Sequence, residues 1–292
     1  MTEHILHTNR KTLALSTPAI MGVLNVTPDS FSDGGRFVHI DTALAHVEQM
    51  NQWGVDIIDV GAESTRPYAS DVSDKEELVR LTPIIKEIRN HFPKLLLSID
   101  TSSPAVIEQM VDLGADIWND VRGLRRDGAV EMASRLALPV VIMHSRGEPS
   151  NMNNLTNYSN VVEDVITELG HHINRAMNAG VQRENIIIDV GMGFAKNYSH
   201  HVALMANLDK IITHFNLPML FGVSRKRFLG EILNNFEPMT QHQPTDRDMI
   251  GMVAHLLAAQ KGANIVRVHD VASMAQALKI WQIINTNNQK HI

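Results

Sequence analysis

The chain alternates short apolar runs with longer amphipathic stretches. The runs cover residues 20–24, 55–60, 95–99, 115–118, 140–143, 186–188, 219–223 and 265–268. Each is bounded by glycine, proline or polar residues, which is the pattern of strands buried on both faces of a parallel sheet. Between them, residues 42–53, 76–90, 105–113, 161–179 and 249–261 carry apolar positions at helical spacing. Asp74 ahead of Glu76 and Glu77, and Ser103 ahead of Pro104, mark helix starts. Gly54, Gly114, Gly180 and Gly262 mark stops. Eight strand–helix units predict an α/β chain folded as a single (β/α)8 TIM barrel, which typically takes about 250 residues. An open doubly wound sheet has the same alternation, but eight units of similar size favour closure. No linker-like stretch divides the chain. One domain is therefore expected over residues 1–292, with an N-terminal arm at 1–19 and a polar tail at 286–292.

The residues that end the apolar runs carry the candidate chemistry. Asn25, Asp59, Asp100, Asn119 with Asp120, His144, Asp189, the Ser224-Arg225-Lys226-Arg227 cluster and Arg267 with His269 stand at or just past the eight strand ends. In a closed barrel these positions share the C-terminal rim, where active sites of this fold are built. Asp100, Asn119 and Asp189 supply acceptors for a ligand edge rich in N–H donors, since a carboxylate facing two adjacent N–H groups makes a bidentate, charge-assisted pair. Lys226, Arg66, Arg267 and His269 supply donors for an anion or a carbonyl oxygen. The pattern points to a flat heterocycle with an amidine-like face and an anionic group beside it. Structural ion pairs among these same residues are the competing explanation.

Composition narrows the function classes. With 44% hydrophobic and 20% charged residues, the chain has ample core material and lacks the signature of disorder. A net charge of −6 lacks the basic footprint of a nucleic-acid binder. The absence of cysteine excludes disulfides, thiolate metal sites and a cysteine nucleophile. No signal-like or membrane-length apolar stretch occurs, so a soluble, cytoplasmic protein without membrane partners is expected.

Three further features bear on the candidate chemistry. Gly191, Gly193 and the residues around them resemble a dinucleotide fingerprint, but Lys196 stands where the third glycine belongs and the segment follows the sixth strand, which excludes that assignment. The segment Asp33-Gly34-Gly35 sits in a long loop that could close over a substrate. Among the 15 histidines no His-Glu-x-x-His occurs, and the pairs His171-His172 and His200-His201 point in different directions on a helix. Most histidines are expected at the surface, with His269 at the rim as the exception.

The motifs carry a family resemblance. The run Leu24-Asn25-Val26-Thr27-Pro28-Asp29-Ser30-Phe31-Ser32-Asp33-Gly34-Gly35 resembles the first signature of the dihydropteroate synthases, and Glu63-Ser64-Thr65-Arg66-Pro67 resembles the second. The segments Ser98-Ile99-Asp100-Thr101, Asn119-Asp120, Asp189 to Phe194, Ser224 to Arg227 and Arg267 to Asp270 follow in the family's order, so that the match runs from about Met21 to Val271.

The resemblance implies an enzyme that joins 6-hydroxymethyl-7,8-dihydropterin diphosphate to 4-aminobenzoate, giving 7,8-dihydropteroate and diphosphate. It implies that Asp100, Asn119, Asp189 and Lys226 hold the pterin and that Arg267 flanks its ring. It further implies that Asn25 helps hold Mg²⁺ on the diphosphate and that His269 with Arg267 binds that anion. Thr65 and Arg66 would come from the second loop and Phe31 and Asp33 from the first. Phe194 and the backbone near Arg227 would border the aminobenzoate. A homodimer through the last helices and affinity for sulfonamide-type mimics are also implied. Two departures are Val190 where the family usually has proline and Ser145 where methionine is common. A pterin-binding methyltransferase barrel shares the fold and the gripping Asp and Asn, but does not require the first-signature loop or the Ser-Arg-Lys-Arg cluster. A non-catalytic paralogue would keep the barrel without turnover.

Overall fold

A computed structural model of the chain describes residues 4–26, 36–63, 72–234 and 243–288. The chain opens with an antiparallel hairpin, β1 (Ile5–His7) and β2 (Thr12–Ala14). Strands and helices then alternate: β3 (Ala19–Asn25), α1 (Arg36–Gln52), β4 (Ile57–Gly61), α2 (Asp74–His91), β5 (Leu96–Asp100) and α3 (Pro104–Asp112). They continue with β6 (Ile117–Asp120), α4 (Ala129–Leu136), β7 (Val140–Met143), α5 (Val161–Asn178), β8 (Ile186–Asp189), α6 (Tyr198–Ala206) and α7 (Leu208–Phe215). The last elements are β9 (Leu220–Phe221), α8 (Arg227–Asn234), α9 (Asp248–Gln260), β10 (Ile265–Val268) and α10 (Val271–Asn288).

Strands β3 to β10 are parallel, in the order β8-β7-β6-β5-β4-β3-β10-β9. A bridge from Ile188 to Met219 and a 2.9 Å bond from Ile188 N to the Pro218 carbonyl join the two edges. The TIM barrel predicted from periodicity is thus the fold. No helix among the described residues is long and apolar enough to cross a membrane.

Local chemistry sets the element ends. Ser103 caps α3 as predicted, its hydroxyl accepting from Val106 N with Pro104 in the first turn. Helix α2 is capped by Ser73 and not by Asp74, which is its first residue; the Ser73 hydroxyl accepts from Glu76 N at 3.3 Å. Strand β9 is shorter than the apolar run 219–223, because the chain turns after it and Arg225 takes a left-handed φ of 60°. Strand β6 begins after Asp116, whose carboxylate accepts from Leu97 N at 2.9 Å and from Arg89 at 2.9 Å. Thr286 to Asn288, read from sequence as the start of a polar tail, continue α10. Helix propensities of polar residues are only tenths of a kcal/mol poorer than those of apolar ones, so polarity alone does not stop a packed helix.

Apolar side chains form two shells. The larger lies between strands and helices and includes Ile58, Ile85, Trp118 and Phe215. The smaller lies inside the barrel at its base and includes Met21, Ile57, Leu96, Ile117, Val141 and Ile187. Leu6 and Leu15, from the hairpin segment, belong to this inner shell. The stretch read as a bare N-terminal arm is therefore a plug, each of its buried leucines contributing about 1.5–3 kcal/mol relative to exposure.

Candidate active site

Side chains alternate along a strand, so residues two apart share the barrel interior. The base layer carries Met21, Ile57, Leu96, Ile117, Val141, Ile187, Leu220 and Ile265. Two residues on, the same faces carry Val23, Asp59, Ser98, Asn119, Met143, Asp189, Gly222 and Arg267. One further step brings Asn25, Gly61 and Asp100 to the rim. The switch from apolar to polar along one face yields a dry base and a charged mouth.

Asp59 is the hub of that mouth. Its Oδ1 accepts from the Ser98 hydroxyl at 2.6 Å, and its Oδ2 from Asn119 Nδ2 at 3.1 Å and Arg267 Nε at 2.6 Å. The same guanidinium donates from Nη2 to Asp100 Oδ2 at 2.8 Å. Acceptors and donors therefore do not form two separate groups as the sequence implied, since Arg267 sits between two carboxylates. Burial pushes the Asp100 carboxyl above the ordinary carboxylate range, against the pull of Arg267 and with a further push from Asp59. Gly61 pairs with Asp100 across the strands, and a Cβ there would lie 3.2 Å from the Asp100 Cβ.

On the other side of the mouth stand Asp189, Lys226 and Phe194. Burial raises the Asp189 carboxyl, while the Lys226 ammonium opposes that shift. Asp189 Oδ1 accepts from Gly191 N at 2.7 Å. Burial lowers Lys226 to about 8, with Asp189 holding it up. Lys226 Nζ donates to the Met192 carbonyl and lies 4.6 Å from the centre of the Phe194 ring, within cation–π range. The glycine pattern that resembled a nucleotide fingerprint has a steric origin. At φ 67° a Cβ on Gly191 would stand 1.8 Å from the His144 carbonyl oxygen, so only glycine fits.

Asn25 ends β3 at the rim, and its side chain has no partner among the described residues. His269 is tied to Ser224: its backbone N donates to the Ser224 hydroxyl at 3.1 Å, and Nδ1 lies 2.9 Å from the same oxygen. The structure thus gathers Asn25, Asp100, Asn119, Asp189, Phe194, Lys226, Arg267 and His269 at one end of the barrel. Phe31, Asp33, Thr65 and Arg66 lie outside the described residues.

Sequence reasoning missed several groups. Asp59 stands at a strand end in the sequence but is not among the candidate site residues; only its register against β3 and β5 shows that it faces the barrel interior. Arg122 links Glu63 at 3.2 Å to Glu148 at 2.6 Å beside the mouth. Asp120, fully buried, accepts from the Ser102 hydroxyl at 2.5 Å and from Arg122 N and Leu124 N at 2.8 Å each. The expectation of surface histidines fails for His144, His201 and His255, all buried. His255 Nε2 accepts from Val223 N at 3.1 Å and His201 Nε2 from Gly193 N at 2.9 Å, so both replace missing backbone partners. Among the described residues no group of three or more His, Asp or Glu could hold a metal ion.

Comparison with known proteins agrees with this geometry. A family model described as "Pterin binding enzyme" matches residues 21–269. The dihydropteroate synthase of Haemophilus influenzae is 45% identical over 278 residues, covering 95% of this chain and 98% of the relative. That of Escherichia coli is 42% identical over 268 residues, covering 92% of each. The structure of Xanthomonas albilineans dihydropteroate synthase with 4-aminobenzoic acid superposes with a TM-score of 0.89 at 39% identity, covering 97% of this chain and 99% of that one. The same enzyme in complex with 7,8-dihydropteroate gives 0.85 at 37% identity, covering 96% and 98%. The chain belongs to the pterin binding enzyme family and, within it, to the dihydropteroate synthases.

Proposed function

We propose that this chain condenses 6-hydroxymethyl-7,8-dihydropterin diphosphate with 4-aminobenzoate, forming 7,8-dihydropteroate and diphosphate. The observation that carries the reading is the pair of carboxylates, half-buried Asp100 and buried Asp189, facing one mouth with Asn119, Lys226 and Arg267. Asp100, Asn119 and Asp189 accept from the pterin's amidine-like N–H edge, Lys226 donates to a pterin oxygen or nitrogen, and Arg267 flanks the ring. His269 with Arg267 binds the diphosphate. Phe194 borders the aminobenzoate, with Phe31, Asp33, Thr65 and Arg66 contributed by the two long loops.

The C–O bond to diphosphate breaks with its electron pair leaving on the diphosphate oxygen, and the methylene left behind is electron-poor. Asp100 and Asp189 stabilise that charge through the ring they hold. The aromatic amine of 4-aminobenzoate then forms the C–N bond from its lone pair, and the N–H proton it gives up is taken by the departing diphosphate or by water. A free aromatic amine needs no strong base, which fits a mouth with no nucleophile–base pair among the described residues. Asn25 presents an amide oxygen without a partner among the described residues, the hard donor type that Mg²⁺ accepts alongside diphosphate oxygens and water. When bound there, Mg²⁺ offsets charge on the departing diphosphate.

The same proposal covers a single domain over residues 1–292, a cytoplasmic location and a homodimer through the last helices. The dimer is supported by the exposed side chains of Met249, Val253 and Leu257 on α9 and of Ile280, Ile283 and Ile284 on α10. The test incubates the purified chain with pterin diphosphate, 4-aminobenzoate and Mg²⁺. Release of diphosphate with formation of dihydropteroate is expected. Pterin binding without diphosphate release would favour the methyltransferase-like or non-catalytic alternative.

A further inference from the structure

Lys196 plays no part in the mechanism above, yet its side chain is buried beneath the glycine loop that follows β8. Its Nζ donates to the carbonyl oxygens of Gly191 at 3.1 Å and Phe194 at 3.0 Å. It also lies 2.9 Å from Nδ1 of His144. Three acceptors match the three N–H bonds of an ammonium group. Burial pushes the His144 imidazole down to about 3, so the ring is neutral and its Nδ1 can accept. Nε2 of the same ring then carries the proton and donates to Glu168 Oε2 at 3.1 Å. Glu168 is in turn gripped by Arg146, whose guanidinium stacks 3.7 Å from the centre of the Tyr158 ring. A continuous polar line thus runs from the inside of the loop to α5. Burial lowers Lys196 itself to about 7, with the Asp189 carboxylate opposing the shift.

The loop held in this way presents the groups that face the mouth. The Met192 carbonyl accepts from Lys226, and the Phe194 ring lies against the Lys226 ammonium. Asp189 sits at the loop's root, anchored separately by β8 and by the bond from His144 N to its carbonyl at 2.8 Å. We propose that Lys196 is a positioning residue, which ties the carbonyls of Gly191 and Phe194 to His144 and so fixes the Phe194 ring for the second substrate. Its removal loosens the Phe194 end of the loop more than Asp189. The inference rests on the reaction proposed above, in which Phe194 borders the aminobenzoate.

The experiment compares Lys196→Met, which loses all three donors, with Lys196→Gln, which keeps two. In steady-state kinetics Lys196→Met is expected to raise KM for 4-aminobenzoate about tenfold or more. KM for the pterin diphosphate should stay within threefold. Lys196→Gln should recover part of the loss. Hydrogen–deuterium exchange should show faster exchange of the 190–195 amides, with barrel-strand amides unchanged. Equal shifts in both KM values together with exchange rising across the whole barrel would mark Lys196 as merely structural and overturn the inference. Unchanged loop exchange and kinetics would overturn it as well. If Lys196→Met does not fold, the same split is read from Lys196→Gln. A wild-type chain that releases no diphosphate overturns the reaction, while the exchange measurement still tests the loop.

Discussion

Two buried carboxylate–arginine clusters stand at opposite ends of the barrel. At the base, Asp116 accepts from Arg10 Nε at 3.2 Å, Arg89 Nη2 at 2.9 Å and Leu97 N at 2.9 Å. Arg89 also donates to the carbonyls of Gly114 and Leu95 at 2.5 and 2.8 Å. Both carboxylate oxygens are engaged by the protein, and the cluster ties the hairpin to α2 and β6. At the mouth, Arg267 joins Asp59 to Asp100, but Asp100 Oδ1 has no hydrogen bond among the described residues and Asp189 offers only one bonded oxygen. The same residue types therefore serve stability where the protein satisfies them and ligand recognition where acceptors are left facing the opening.

Substitutions that separate the two clusters should have effects of different kinds. Arg267→Met leaves buried Asp59 and half-buried Asp100 without their cation. It is expected to lower kcat/KM by roughly 10²-fold or more and stability by about 3–5 kcal/mol, read by kinetics and by denaturant titration. Asp116→Asn at the base should lower stability by about 3 kcal/mol while kcat and both KM values stay unchanged. A comparable loss of activity in Asp116→Asn would erase the distinction between the clusters.

A smaller, pH-dependent effect sharpens the picture between the ends. Glu77 on α2 is buried, and its Oε1 has no hydrogen-bond partner among the described residues. Burial pushes its carboxyl up to about 7, the Thr101 hydroxyl pulls it down, and Glu63 and Asp100 push it further up. A carboxyl raised in the folded chain binds its proton more tightly than in the unfolded chain. Its contribution is full below the ordinary value of 4.5 and is lost as pH rises through about 7. Glu77→Gln should match the parent chain near pH 4.5 and exceed it by about 1–3 kcal/mol at pH 8, measured as denaturation free energies. Parallel pH profiles for the two proteins would contradict this.

The barrel and most of the rim were legible in the sequence because the same physics wrote both signals. Buried parallel strands need uninterrupted apolar runs, and a polar mouth needs those runs to end in acids, amides and bases. The role of Asp59 was not legible, since a polar residue inside a run faces the barrel or the helices according to a register that only neighbouring strands fix. The hairpin was hidden because Leu6, Leu13 and Leu15 stand among charged and polar neighbours, and their burial depends on the barrel base they plug. His201 and His255 read as surface residues because their partners are backbone N–H groups, which leave no mark in composition. Lys196 was noted only as a missing glycine. Its function depends on two carbonyls and on His144, 52 positions away in the chain.

The most direct test of the charged mouth is calorimetric titration of a pterin into Asp189→Asn. Loss of charge-assisted bonds should weaken binding by roughly 1.5–3 kcal/mol, with the fold intact by circular dichroism. A pterin affinity equal to that of the parent chain would contradict the assignment of this end of the barrel to the pterin.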